Sequence, residues 1–169
     1  MVYKKLSKRK VVNMLKFGNI ELLLGECNVS TIKDGRGGIF TWIPKEPIQE
    51  FNLVQFSKGK IRGNHFHPEF NEYILIVNGT FSIVTRDLET QEEIAMIASK
   101  GTCLYVPKNT PHALVASEDA TCVSFLTKPW NKCENPIIRE QMIEQDQEYK
   151  NFAKNEGFQY SAEEIRKNK

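Results

Sequence analysis

"GNHFHPEFNEYILIVNG", residues 63–79, sets two of the chain's three histidines two positions apart. In a strand, residues two apart point to the same face, so His65 and His67 can converge on one point inside a barrel. Pro68 cannot continue a central ladder, so "PEFN" (68–71) breaks the strand. The register can then reset, and Glu72 can open the return strand facing the same interior. An apolar run follows and closes on Asn78-Gly79, a tight-turn pair. The third histidine, His112, comes far downstream, after "VPKNTP" (106–111) and at the start of another apolar run.

Outward from this stretch, 20–127 repeats one theme: short β-branched and aromatic runs between Gly, Pro, Asn or Asp. Candidate strands are 20–24, 39–43, 51–57, 63–67, 72–77, 80–87, 92–98, 102–107, 112–116 and 121–127. The turns between them, "KDGRGG", "SKGK", "NG", "SKG" and "SED", carry residues that accept tight or left-handed backbone. Many short strands at this spacing predict an all-β sandwich or small barrel. After Trp130 the pattern changes. Ile138, Met142 and Ile143, with Tyr149 and Phe152, recur at roughly helical spacing, predicting a helix from after Pro136 to near Gly157. The organisation expected is an N-terminal arm (1–19), a barrel (20–130) and a C-terminal helical extension (131–169).

The 169 residues are enough for one domain that buries its own core. A net charge of +2, with Lys and Arg interspersed among Asp and Glu, argues against a nucleic-acid partner. "KKLSKRK" (4–10) reads as a solvated basic arm. Cys27, Cys103, Cys122 and Cys133 form no CxxC pair and read as reduced thiols, which points to the cytoplasm. No signal-peptide pattern is read near the start, and "IELLLG" (20–25) is far too short to span a bilayer, so no membrane partner is expected.

Three imidazoles and one carboxylate make a borderline-hard donor set suited to one divalent first-row metal; zinc, nickel, iron and manganese all stay open. A lone histidine is usually a surface residue or a satisfied core residue. Here every histidine of the chain falls into one constellation, and an unliganded cluster would bury nitrogens that need partners. The expected ligands are His65, His67, Glu72 and His112.

These residues also carry a resemblance. Gly63-x-His65-x-His67-x4-Glu72-x6-Gly79 resembles the first motif of the cupin superfamily, and Gly101-x5-Pro107-x4-His112 resembles the second. The likeness covers roughly 34–127 and implies a double-stranded β-helix, or jelly-roll barrel, with the four residues around a metal. Asn109 stands where the second motif usually has Gly, and Ala116 where it often has Asn; Asn tolerates left-handed backbone. "DGRGGIFTWIP" (34–44) with "KIRGNHFH" (60–67) further resembles the RmlC-like cupins of nucleotide-sugar metabolism. Those are the thymidine-diphosphate-sugar ketoisomerases, the 4-keto-sugar 3,5-epimerases and the C-terminal cupin of capsular-polysaccharide enzymes.

That resemblance implies an isomerase or epimerase acting on a nucleotide-linked keto-sugar in polysaccharide or deoxysugar biosynthesis. Such chemistry removes an α-proton and stabilises an enediolate, which a metal can do by polarising the ketone. A separate base must carry the proton. In the metal-free ketoisomerases the first-motif histidines themselves serve near the sugar; with a full His3Glu set they would be ligands. The ketoisomerases also carry tyrosines in the strand before Arg-Gly, where this chain has "FNLVQFS" (51–57). Tyr105 is a candidate substitute, as is Tyr73, although alternation turns Tyr73 away from the face of Glu72. Arg62, Arg36 and Lys108 are the candidates for a substrate phosphate or carboxylate, because they lie beside the motifs. Asn64 is placed either to orient substrate or to satisfy a strand end. Trp42 and Trp130 could stack a base or sugar, although core aromatics are commoner. Two other classes stay open: a metal-dependent dioxygenase, and a non-catalytic sugar-binding or structural cupin. A homodimer is expected, from the resemblance and from apolar strand edges that need cover.

Overall fold

The computed structural model describes residues 14–23 and 32–144. They form thirteen strands: β1 (Met14–Phe17), β2 (Ile20–Leu23), β3 (Ile32–Asp34), β4 (Gly37–Ile39), β5 (Glu50–Phe56), β6 (Ile61–Phe66) and β7 (Glu72–Asn78), followed by β8 (Thr80–Arg86), β9 (Glu93–Ser99), β10 (Cys103–Val106), β11 (His112–Ala116), β12 (Ala120–Leu126) and β13 (Ile138–Arg139). One sheet has the order β1-β2-β10-β7-β12-β5 and a second the order β13-β6-β11-β8-β9, with β3-β4 a separate hairpin. Every pairing is antiparallel. This is the expected jelly roll. No helix among the described residues is long and apolar enough to cross a membrane.

Period-2 alternation decides what each strand buries. On β8, Phe81 and Ile83 are fully inside, and on β7 Ile74 and Ile76 meet them. Phe56, Leu104, Val106, Leu114 and Cys122 complete this inner cluster. The opposite face of the first sheet carries a second cluster around Leu23, Tyr73 and Cys103, covered by Trp42 and Ile48. That cover accounts for a difference from expectation at 39–43. The strand stops at Ile39, and the chain wraps over the sheet instead. The Trp42 indole donates to the Leu23 carbonyl (3.1 Å), and the Lys45 amide donates to the Tyr73 hydroxyl (2.8 Å).

The helix expected after Pro136 is not formed over the described part of that segment. Residues 136–144 run extended, and β13 pairs Ile138 with Phe66 and Arg139 with His65 on the free edge of β6. Here tertiary partners outcompete local helical bonds. The Asn64 side-chain oxygen accepts from the amides of Met142 (3.2 Å) and Ile143 (3.0 Å), and its nitrogen donates to the Ile143 carbonyl (2.8 Å). Residues 145–157 of the expected helix lie outside the described residues, as do Cys27 and most of the N-terminal arm.

One glycine makes the close approach of β6 to β11 possible. Gly63 has φ +96°, and a Cβ there would lie 2.5 Å from the His112 carbonyl oxygen and 2.9 Å from the Ala113 Cα. Gly59 also has positive φ (+75°) but open space around it. Gly59→Ala should therefore cost only the left-handed strain, about 1–2 kcal/mol. Gly63→Ala adds a clash with backbone and should cost about 2–5 kcal/mol in chemical denaturation. Equal losses at the two positions would contradict this account.

Candidate functional site

The β6–β11 pairing brings the histidines together. His65 lies opposite His112 in register, and the register shifts between His112 and Ala113. The extra residue is Asn64, at φ 53°, an αL conformation that Asn tolerates. Because of this bulge Arg62, opposite Leu114, shares the inner face with His65 despite the odd spacing. His67 follows just beyond the strand, and its carbonyl accepts from the Asn109 amide (2.9 Å). Asn109 adopts φ 59°, so it fills the turn position that glycine usually takes. Glu72 opens β7.

The ligating atoms of His65, His67 and His112 lie within 4.8 Å of one another. Glu72 Oε2 is 3.2 Å from His67 Nε2 and 3.3 Å from His112 Nε2. The other nitrogens are already committed. His67 Nδ1 donates to the Pro136 carbonyl (2.9 Å) and His112 Nδ1 donates to the Thr110 carbonyl (3.0 Å). A carbonyl can only accept, so each Nδ1 carries a proton; Nε2 then presents a lone pair to Glu72 while the ring is neutral and a second N–H when it is charged. Two lone pairs facing one carboxylate oxygen repel unless a proton or cation lies between them. Ser124 donates to Glu72 Oε1, fixing the carboxylate from the other side. His65 Nδ1 is buried with no hydrogen-bond partner among the described residues, an orphan that calls for one.

The protonation preferences follow from this arrangement. Burial, then the neighbouring His112 and His67, push His65 down to about 2. Burial works to raise Glu72, but hydrogen bonds from His112 and His67 outweigh it and hold the carboxyl well below its usual range. Burial likewise works to lower His112, yet the hydrogen bond and charge of Glu72 raise it. The donor set fits a divalent ion. Ligand atoms about 2.1 Å from a tetrahedral centre stand roughly 3.4 Å apart, close to the two His–Glu separations. Backbone carbonyls on the distal Nδ1 atoms are the usual orienting partners of ligating histidines.

The cluster lies in a cavity of about 920 Å³. β5 contributes Glu50, Asn52, Val54 and Phe56, every second residue, as alternation requires. The segment after the barrel contributes Trp130, Asn131, Ile137, Arg139 and Gln141. Of the residues singled out in the sequence, His65, His67, Glu72, His112, Arg62, Asn64 and Trp130 line this cavity. Arg62 donates to the Gln55 carbonyl (3.3 Å) and lies over the Phe56 ring. The Asn64 carboxamide is taken up by residues 142 and 143. Arg36 is not brought in: it is exposed on the β3–β4 hairpin and paired with Asp34. Lys108 is exposed and does not line the cavity. Tyr105 is on the outer face, its hydroxyl donating to Glu46 (3.4 Å) and the Lys45 ammonium over its ring. Sequence reading missed Ser124 and Arg139. Alternation in "TCVSFLT" could have found the first; nothing local marks the second.

Residues 20–153 match the family described as FdtA: WxcM-like, C-terminal. No curated protein sequence matches the chain. Among solved structures, a 3,4-ketoisomerase from Helicobacter canadensis is 19% identical, with TM-score 0.61, over 81% of this chain and 96% of that one. A double mutant of the QdtA 3,4-ketoisomerase from Thermoanaerobacterium thermosaccharolyticum, in complex with TDP, is 20% identical, with TM-score 0.59, over 72% and 88%. A dTDP-4-dehydrorhamnose 3,5-epimerase from Sulfolobus tokodaii is 19% identical, with TM-score 0.56, over 68% and 74%. These likenesses establish the fold.

The buried imidazoles predict the acid limb of stability in chelator-treated protein. Folded His65 takes up no proton between its ordinary value of 6.5 and about 2, whereas the unfolded chain does. Stability is thus full above pH 6.5 and falls as pH falls, by roughly 1.4 kcal/mol per pH unit once unfolded His65 is charged. His112, raised, adds stability that is complete below 6.5 and is lost as pH rises through its folded value. Glu72, depressed, adds stability above 4.5 that is lost as pH falls through its folded value. Of these three groups, His65 alone gives a slope between pH 6.5 and 4.5. Urea titrations should show wild type losing stability there while His65→Gln stays nearly flat; parallel curves would contradict the assignment.

Proposed function

We propose, from the premise that this chain belongs to the FdtA: WxcM-like, C-terminal family, that it is an isomerase or epimerase acting on a nucleotide-linked keto-sugar. The observation that carries this reading is the cluster of His65, His67 and His112 with Glu72, lining a cavity large enough for a sugar with its phosphates. A protein of similar fold, the ketoisomerase double mutant solved in complex with TDP, supports the substrate class. The amide side chains of Asn52, Asn131 and Gln141 on the cavity wall match sugar hydroxyls. Arg62 at the rim matches a phosphoryl oxygen.

The histidine nitrogens and Glu72 would hold one divalent metal. When bound, that ion supplies Lewis-acid polarisation of a substrate carbonyl and charge stabilisation for the enediolate. The chain's own residues do the rest. The Pro136 and Thr110 carbonyls keep His67 and His112 as Nδ1–H tautomers aimed at the site. Ser124 holds the carboxylate oxygen that faces away from the imidazoles. The apolar wall of Val54, Ile74 and Leu114 keeps bulk water from the reacting carbons.

A cytoplasmic protein is in keeping with Cys103 and Cys122, which are buried free thiols. A homodimer is supported by β5, an edge strand whose outer face exposes Phe51 (73%) and Leu53 (66%). Sedimentation should show a dimer at micromolar concentration and a monomer for the Phe51→Lys/Leu53→Lys double variant. A monomeric wild type would remove this proposal.

The reaction is tested in deuterated water with a panel of 4-keto nucleotide sugars. The expected result is solvent label in the carbon beside the carbonyl, with about one metal per wild-type chain by elemental analysis and a large loss in His67→Ala. Absence of label across the panel would count against isomerase chemistry. A wild type free of metal after metal-replete purification would count against the ligand set alone.

A further inference from the structure

The cavity contains two guanidinium groups that the fold does not neutralise. Arg36 is paired with Asp34, and Arg86 with Glu93 and Glu140. Arg62 and Arg139 have no carboxylate partner among the described residues, and both line the cavity. The position of Arg139 is dictated by the strand that carries it. In register with His65 across β13–β6, it shares the face on which the histidines lie. Ile137 and Gln141 line the cavity on either side of it. The alternate residue, Glu140, is tied to Arg86 of β8, and its amide donates to the Asn64 carbonyl (2.9 Å). Arg139 itself has one long contact, Nη1 donating to the Gly63 carbonyl at 3.4 Å.

We propose that Arg139, together with Arg62, grips a phosphoryl oxyanion of the substrate, so that the segment following the barrel completes the binding site. The proposal rests on the nucleotide-sugar reading and specifies which group holds the phosphates. The argument is one of satisfaction. A guanidinium presents five donors in a planar fork, and the fold uses one of those of Arg139. Both guanidinium groups line the cavity, and neither spends its fork on a carboxylate among the described residues. Oxyanions accept such forks bidentately, with geometry that an ammonium cannot reproduce. β13 is held by backbone pairing to β6, and the chain just after it by the Asn64 carboxamide, so the backbone that carries the fork is fixed before binding.

Inorganic pyrophosphate is the probe, since the group is common to every nucleoside-diphosphate sugar whatever its base. Calorimetric titration of the full chain should show binding to wild type and at least tenfold weaker binding to Arg139→Gln. Arg139→Lys, which keeps the charge and loses the fork, should fall between them. Lys100→Gln, on an exposed turn outside the cavity, should match wild type and so excludes a bulk charge effect. If Arg139→Gln fails to fold by circular dichroism, Arg139→Lys carries the comparison, with a loss of about threefold or more expected. Wild type that does not bind pyrophosphate overturns the proposal, as do Arg139 variants that bind it as tightly as wild type. The isomerase reading has its own readout. Missing solvent label with pyrophosphate binding and its Arg139 dependence intact would sink the reaction and leave this site standing. Normal labelling with unchanged Arg139→Gln affinity would sink this site alone.

Discussion

Two imidazole Nε2 atoms share one carboxylate oxygen, Glu72 Oε2, and much of the structure around them keeps them there. The arrangement is unfavourable for neutral rings, whose lone pairs would face a negative oxygen. It persists because the opposite nitrogens are held from outside, by the Thr110 carbonyl two residues before His112 and by the Pro136 carbonyl 69 residues after His67. A buried polar group left unpaired costs on the order of 1–3 kcal/mol, so turning either ring to relieve the contact would break a good hydrogen bond to mend a poor one. Strain of this kind, over-determined by its surroundings, is characteristic of sites built to receive something. The orphaned His65 Nδ1 beside the pair points the same way.

The Pro136 carbonyl also ties the site to the segment after the barrel. That segment contributes β13 to the second sheet, a wall to the cavity, the Arg86–Glu140 ion pair and the cavity-lining Arg139. Asn64 is its hook, and the same residue is the bulge that lets Arg62 and His65 share a face. One strained asparagine therefore sets both the histidine geometry and the position of the strap opposite it. This coupling explains why both ends of its carboxamide are bonded to the chain at residues 142 and 143.

The core of the site was legible because it depends on local rules. His65 and His67 share a face by alternation, Pro68 permits the reset that turns Glu72 inward, and the two motifs fix the spacing to His112. The strap was not legible, because its conformation is decided by partners far away in sequence. Ile138, Met142 and Ile143 do recur at helical spacing, yet the free edge of β6 and the Asn64 side chain supply better hydrogen bonds than a helix would. Arg139 is invisible without that pairing. Tyr105 illustrates a different limit. "CLYV" (103–106) is apolar at every position, so parity cannot be read from it, and only the sheet shows Leu104 and Val106 inward and Tyr105 outward.

The outer face on which Tyr105 lies bears on the inner one. Glu72 and Tyr73 are consecutive on β7, and a slip of one residue would exchange the carboxylate that faces the histidines for a phenol. Alternation alone does not prevent this, since β7 is apolar on both faces through Ile74, Leu75 and Ile76. The register is instead pinned by polar contacts on both sides. Inside, Ser124 donates to Glu72; outside, the Tyr73 hydroxyl accepts from the Lys45 amide. Lys45 is in turn held by Glu21, and Asn71, just before the strand, donates to Glu46. The loop over the outer face thus does more than cover apolar surface. Its hydrogen bonds distinguish the one register in which the carboxylate faces the histidines from its mirror, a distinction that hydrophobic burial on a doubly apolar strand cannot supply.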